Sequence, residues 1–181
     1  MTKLWLEMNA FDIDLRIRDE ERRPLGELVR AHDITSDGVV FKDDRVSVRA
    51  AHNDHPPIEH SLAYRFDSAD RSIVVSGDTS CSDAVVALAK DADVLVHEVV
   101  DRAYAESGKG PYTPGIRRHI LASHTSPEDV GRVAAAARVK TLVLSHFVPN
   151  EIAEITDDMW TAGVKKHFSG KVIAGRDLME I

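Results

Sequence analysis

The chain has little cysteine, no concentration of positive charge and no long apolar run, and each absence excludes something. Its one cysteine, Cys81, rules out a disulfide within the chain and fits a reducing compartment. Lysine and arginine number 23 against 30 acidic residues, a formal charge of −7, so charge gives no support to a large nucleic-acid footprint. The opening MTKLWLEMNAFDIDLR lacks an apolar stretch of the length that a signal peptide or a membrane span needs. A cytoplasmic chain that meets no membrane is expected. Internal repeats, low-complexity tracts and evident linkers are missing too. With 181 residues, 43% of them hydrophobic and 29% charged, the composition predicts a single globular domain over 1–181.

What is present is organised around Ile73–Glu98, IVVSGDTSCSDAVVALAKDADVLVHE. This stretch reads as a buried strand over Ile73–Ser76, a tight turn carrying Asp78, a short helix, and a second buried strand over Asp93–Val96 that delivers His97 and Glu98. Ser80 with Asp83 has capping-box spacing, Val85, Leu88 and Ala89 share a helical face, and Cys81 is expected as a small buried residue. Upstream, Phe11, Ile13, Leu15 and Ile17 alternate with charged residues, the pattern of a half-buried strand, and Leu28–Ile34 reads as another. Turns at Asp37-Gly38 and Asp43-Asp44 separate strands at Val39–Phe41 and Arg45–Ala50, and Ser61–Phe66 follows, which predicts an antiparallel meander. Downstream, Gly108, Gly110, Pro111, Pro114 and Gly115 predict a long irregular loop over 101–123. Ser126 and Pro127 open a helix with Val130, Val133, Ala134 and Ala137 on its apolar side. Thr141–Leu144 is a buried strand running to His146, and a last helix carries Trp160, Val164 and Phe168 before Gly170.

Chemistry-bearing side chains gather at strand and loop ends: His55, Asp78, His97 with Glu98, His124 and His146. Imidazole and carboxylate are the donor set for zinc and similar divalent ions, and residues at successive strand ends can converge on one centre. Each also has a plain alternative. A histidine near a strand end is more often a hydrogen-bonding residue than a ligand, Asp78 can cap the following helix, and Glu98 can pair with Arg117 or Arg118. His32, His60, His119 and His167 are assigned structural or surface roles.

Taken in order, the stretch FKDDRVSVRAAHNDH ending at His55, SGDT (Ser76–Thr79), HEVV (His97–Val100), HTS (His124–Ser126) and LSHF (Leu144–Phe147) resemble the motifs of the metallo-β-lactamase superfamily. The similarity is to its branch of ribonuclease Z and arylsulfatase-like hydrolases and covers roughly residues 38–148. The resemblance implies that Asp78 bridges two metal ions, that His55 and His146 are ligands, and that Glu98 orients His124 as proton donor to the leaving group. It also implies a pair of Zn2+ ions that make hydroxide from water near neutral pH, and cleavage of a phosphodiester or related ester.

The family's opening H-x-H-x-D-H motif has no counterpart here; His52-Asn53-Asp54-His55 matches only its second half. Each ion would keep two protein ligands, fewer than the three that a catalytic zinc normally holds. The implied fold is therefore α/β, a partial αββα metallo-β-lactamase sandwich lacking its N-terminal portion. Such a fold is expected to expose apolar strand surface, to form a homodimer through it, or to take a complementing N-terminal fragment. Only the short DSAD turn stands where ribonuclease Z has an arm for gripping transfer RNA, which favours a small ester or phosphodiester substrate. The expected function is a metal-dependent, ribonuclease Z-like hydrolase that is weakly active or inactive alone. The alternative is a non-catalytic binding or dimerisation module that retains the C-terminal half of the fold.

Overall fold

The computed structural model describes residues 2–150, 152 and 154–181, and the chain divides into two compact units, Met1–Thr35 and Ser36–Ile181, where the sequence predicts one domain. The first unit holds α1 (Thr2–Met8), α2 (Ala10–Asp19) and the short α3 (Leu25–Leu28), so neither strand predicted here forms. The letters that alternate along residues 11–18 also set Phe11 over Leu15 and Ile13 over Ile17 at helical spacing. Arg16 then bridges Asp12 at 2.9 Å and Glu20 at 3.0 Å along the surface of α2. Residues 29–35 join no sheet among the described residues, and a strand pattern without a partner ladder leaves its backbone groups unpaired.

The second unit is built on one seven-stranded sheet whose strands lie in chain order: β1 (Gly38–Lys42), β2 (Val46–His52), β3 (Leu62–Ser68), β4 (Ser72–Val75), β5 (Val94–Val100), β6 (Thr141–Val148) and β7 (Lys171–Ala174). The predicted meander is present as antiparallel β1–β4, and β4 to β7 are parallel. Parallel neighbours need crossovers, and helices supply them. α4 (Asp83–Leu88) joins β4 to β5, α5 (Arg102–Glu106), α6 (Pro114–Ser123) and α7 (Pro127–Ala137) join β5 to β6, and α8 (Asp157–Lys165) joins β6 to β7.

One sheet face carries Ala63, Val74, Leu95, Leu142 and Leu144, which bury against Val85 of α4, Val130, Val133, Ala134 and Ala137 of α7, and Trp160 and Val164 of α8. On the opposite face the register sets Phe41, Val48, Phe66, Ile73 and Val94 in one row across β1–β5. Phe41 is 53% exposed, Phe66 39% and Val75 38%. Helices α4, α7 and α8 thus cover one side of this sheet, while on the other Phe41, Phe66 and Val75 leave part of the apolar strand surface exposed, as expected of a partial sandwich.

Three local expectations are corrected. The loop predicted over 101–123 contains two helices: Asp101 accepts the Tyr104 N–H at 3.0 Å to start α5, and Thr113 accepts the Ile116 N–H at 3.2 Å to start α6, with Pro114 in its first turn. A proline read as loop punctuation is a helix opener, since its missing N–H falls where no helical partner exists. Ser82, rather than Ser80, stands at the N-cap of α4, and the Ser80 hydroxyl donates instead to the Asp54 carbonyl at 3.0 Å. Cys81 is exposed, not buried. The start of α7 is as predicted, the Ser126 hydroxyl accepting the Asp129 N–H at 3.2 Å. Among the described residues no helix is long and apolar enough to cross a membrane.

Candidate functional site

The Ser76–Thr79 turn leaves β4 under tight restraint. Gly77 sits at φ +62, and a Cβ there would lie 2.8 Å from the Leu62 carbonyl oxygen, so glycine alone lets the turn pass so close. The buried Asn53 amide donates to the carbonyls of Ser76 at 2.6 Å and Asp78 at 3.2 Å, and the Thr125 hydroxyl donates to the Thr79 carbonyl at 2.6 Å. These bonds hold the backbone of Asp78 and leave its carboxylate to face His146, whose Nε2 lies 3.3 Å from Asp78 Oδ2. Asp78 does not cap α4, whose N-cap is Ser82.

His146 reaches this place through an irregularity in β6. Glu98 pairs with Ser145 and the next residue, Val99, with Phe147, so His146 is the extra residue of a β-bulge at φ +44. A side chain at positive φ is strained, and the bulge turns it off the sheet toward the rim.

Glu98 is 1% exposed and both its oxygens serve one segment. Oε1 accepts the Thr125 N–H at 2.8 Å, and Oε2 lies 3.1 Å from His124 Nδ1 at the C-cap of α6. The alternative pairing with Arg117 or Arg118 is therefore not formed. Burial opposes a charged imidazole at His124, but the hydrogen bond to Glu98, its charge and that of Asp78 together outweigh it and raise the pKa above the ordinary 6.5. His97 is a different case. It is fully buried, its Nδ1–H donates to the Glu98 carbonyl at 2.7 Å, and burial lowers its pKa, which makes it a neutral core residue.

His124 is the common neighbour of the remaining candidates. Its ring centre is 5.5 Å from that of the buried His55 and 5.6 Å from that of His146. His119, from the same helix α6, lies 5.3 Å from His55. Two donor groups result, each with its ligand atoms within 4.8 Å of one another: His55, His119 and His124, and Asp78, His124 and His146. The predicted ligands His55, Asp78 and His146 are thus divided between two groups that meet at His124. His119, given a structural or surface role from the sequence, belongs to the cluster. The available signal was the run HILASH, two imidazoles flanking the end of one helix. α6 is itself held by a small core of Val100, Ala105 and Ile120 and by the Arg102 guanidinium, which donates to the Leu121 carbonyl at 2.9 Å.

The donor chemistry fits a divalent ion such as zinc held by three side chains, with a carboxylate behind one imidazole. Because His124 commits Nδ1 to Glu98, only Nε2 is left for either group, and the residues present make one three-donor site at a time.

A family model described as a beta-lactamase superfamily domain matches residues 12–147. The chain belongs to the metallo-β-lactamase superfamily. Among its curated relatives, the ribonuclease Z of Mycobacterium tuberculosis (strain ATCC 25618 / H37Rv) is 31% identical over 177 residues, covering 97% of this chain and 62% of the relative. The ribonuclease Z of Mycolicibacterium gilvum (strain PYR-GCK) is 32% identical over 177 residues, covering 97% of this chain and 59% of the relative. This metallo-β-lactamase superfamily chain therefore spans 62% and 59% of the lengths of these two relatives. The metallo-β-lactamase fold protein YhfI from Bacillus subtilis matches with a TM-score of 0.55 at 22% identity over 74% of this chain and 48% of that one. Human tRNase Z, short form, matches with a TM-score of 0.54 at 24% identity over 80% of this chain and 44% of that one. Both establish a shared fold that covers less than half of each neighbour.

Proposed function

We propose that this chain is a metal-dependent hydrolase that cleaves a phosphodiester or related ester in the manner of ribonuclease Z. The observation that carries the reading is the buried Glu98–His124 pair standing beside the Asp78–His146 contact. His55, Asp78 and His146 are the proposed metal ligands, and His124 is the proposed proton donor. A bound divalent ion, zinc by the chemistry of these donors, would polarise the phosphoryl or carbonyl oxygen and activate water. The protein's own residues do the rest. Glu98 holds the Nδ1–H of His124, which fixes the tautomer and leaves Nε2 to carry the transferable proton. The raised pKa of His124 keeps that proton in place closer to neutral pH, where it can pass to the departing oxygen. The Thr125 N–H bond to the other carboxylate oxygen keeps Glu98 from swinging away.

The named relatives make RNA the macromolecular candidate substrate, while the charge of −7 and the short DSAD turn support a small diester or ester. A cytoplasmic location accords with the single cysteine. Hydrolysis of bis(p-nitrophenyl) phosphate by the zinc-loaded chain tests the reading: His124→Ala is expected to slow it about 100-fold or more, with metal content unchanged. An unaltered rate in that variant ends the hydrolase reading, and no turnover by the zinc-loaded wild type reduces it to a chain that is inactive alone.

The exposed apolar face of β1–β4 supports a second reading, a binding or dimerisation module whose partner is a second copy of the chain or a complementing N-terminal fragment. Sedimentation velocity at several concentrations distinguishes a self-associating chain from a monomer.

A further inference from the structure

We infer that Asn53 is a positioning residue for the metal centre: its side-chain amide fixes the Asp78 turn against the segment that carries His55, and so sets the separation of those two proposed ligands. The inference rests on the proposed function and deepens it. It names a residue, itself no ligand, that prepares the site for its ion.

Connectivity is the first support. His55 lies just beyond β2 and Asp78 in the turn after β4, and these strands are not neighbours, since β3 runs between them. The β-ladder therefore does not fix one ligand relative to the other, and a contact outside the sheet has to. Asn53 Nδ2 supplies it, donating to the Ser76 carbonyl at 2.6 Å and the Asp78 carbonyl at 3.2 Å, so that the backbone on both sides of Gly77 closes on one amide. Asn53 is itself anchored, its N–H donating to the Ser61 carbonyl at 3.0 Å. The next residue continues the join beyond Asp78: the Asp54 N–H donates to Thr79 Oγ1 at 3.1 Å, and the Ser80 N–H to the Asp54 carbonyl at 2.7 Å. Those bonds hold the chain after Asp78, whereas Asn53 holds it before Asp78 and at Asp78 itself.

The second support is the chemistry of the buried amide. Asn53 is 8% exposed, and among the described residues its Oδ1 is buried and accepts no hydrogen bond. A buried acceptor without a partner costs free energy that a leucine of similar size avoids. The amide is therefore explained by what it donates, and both of its bonds go to the turn that carries Asp78. Both partners are carbonyl oxygens, which fixes the facing atom as the NH2 group. Gly77 leaves it room, since a Cβ there would lie 3.1 Å from Asn53 Nδ2. A carboxylate held in place before the ion arrives loses less freedom on binding, so loosening this turn shows as weaker metal affinity.

Cobalt(II) titration of the chelator-treated full chain provides the test, because visible absorption reports binding without any need for catalysis. Asn53→Leu roughly keeps the side-chain volume and removes both donors. It is expected to weaken Co2+ binding about tenfold or more, while Gly131→Val, which loosens the fold at the α7–α8 contact, leaves the affinity unchanged. Wild-type affinity in Asn53→Leu overturns this inference alone and leaves the proposed ligands standing. Equal losses in the two variants overturn it as well, since general loosening then explains the effect. Far-ultraviolet circular dichroism shows whether Asn53→Leu folds. If it does not, hydrogen exchange of the Asn53 side-chain amide in the wild type decides. Exchange that Zn2+ slows more than it slows the backbone amides of β3 supports the inference, and no such difference overturns it. No Co2+ binding by the wild type overturns the inference together with the proposed ligand set.

Discussion

At Glu98 one buried carboxylate satisfies two buried donors, the Thr125 N–H and His124 Nδ1–H. Glu98→Ala strands both and is expected to destabilise the chain by about 3 kcal/mol in urea denaturation, with Glu98→Gln milder because its amide oxygen still accepts one bond. The pair is legible in the sequence because HEVV and HTS each carry their residue inside a recognisable motif. His119 is not, since nothing in the letters says that α6 will turn it toward His55. Asp93 shows a charge effect read the same way. The Lys140 ammonium, followed by the N–H and hydroxyl of Ser72, holds its carboxyl well below the usual carboxylate range. A carboxylate with a depressed pKa contributes stability that is fully present above its unfolded value, about 3.9, and is lost as pH falls below it. Asp93→Asn should therefore lower the melting temperature at pH 7, and the difference from wild type should shrink below about pH 4 in a thermal-melt series.

At the scale of elements, packing without side chains sets the approach of α7 and α8. A Cβ on Gly131 would lie 2.5 Å from the Val164 carbonyl oxygen, and one on Gly163 would lie 2.7 Å from Pro127 Cβ, so each helix presents a glycine where the other comes closest. Gly131→Val is expected to push the helices apart and destabilise the chain by about 1–3 kcal/mol, measured as a lower urea midpoint with an unchanged slope. Element identity follows the sequence where the period is unambiguous, as in α7 and in the β2–β3 alternation. It fails at α2, whose letters satisfy period two and helical i,i+4 spacing together, because only the presence or absence of a neighbouring strand decides between them. The bulge at His146 is illegible for a related reason. It is a property of two strands in register, and no single strand contains it.

At the scale of the Ser36–Ile181 unit, the decisive feature is a sheet whose face opposite α4, α7 and α8 leaves Phe41, Phe66 and Val75 partly exposed. Replacing Phe66 by Glu puts a charge in the exposed apolar row, and any concentration-dependent dimer seen by sedimentation should shift toward monomer. A metal ion that binds only the folded chain adds stability by mass action, about 2.7 kcal/mol at a free zinc concentration a hundred times Kd, so zinc should raise the melting temperature and a chelator reverse it. The sequence by itself determined the family and the meander followed by strand–helix alternation, and it singled out Asp78, Glu98, His124 and His146 as candidates, because those depend on local pattern and on motifs short enough to be read along the chain. Only the tertiary structure decided that His124 is shared between two donor groups and that His119 stands with His55, because which side chains meet depends on where crossover helices land on the sheet, and that is fixed by burial across the whole unit.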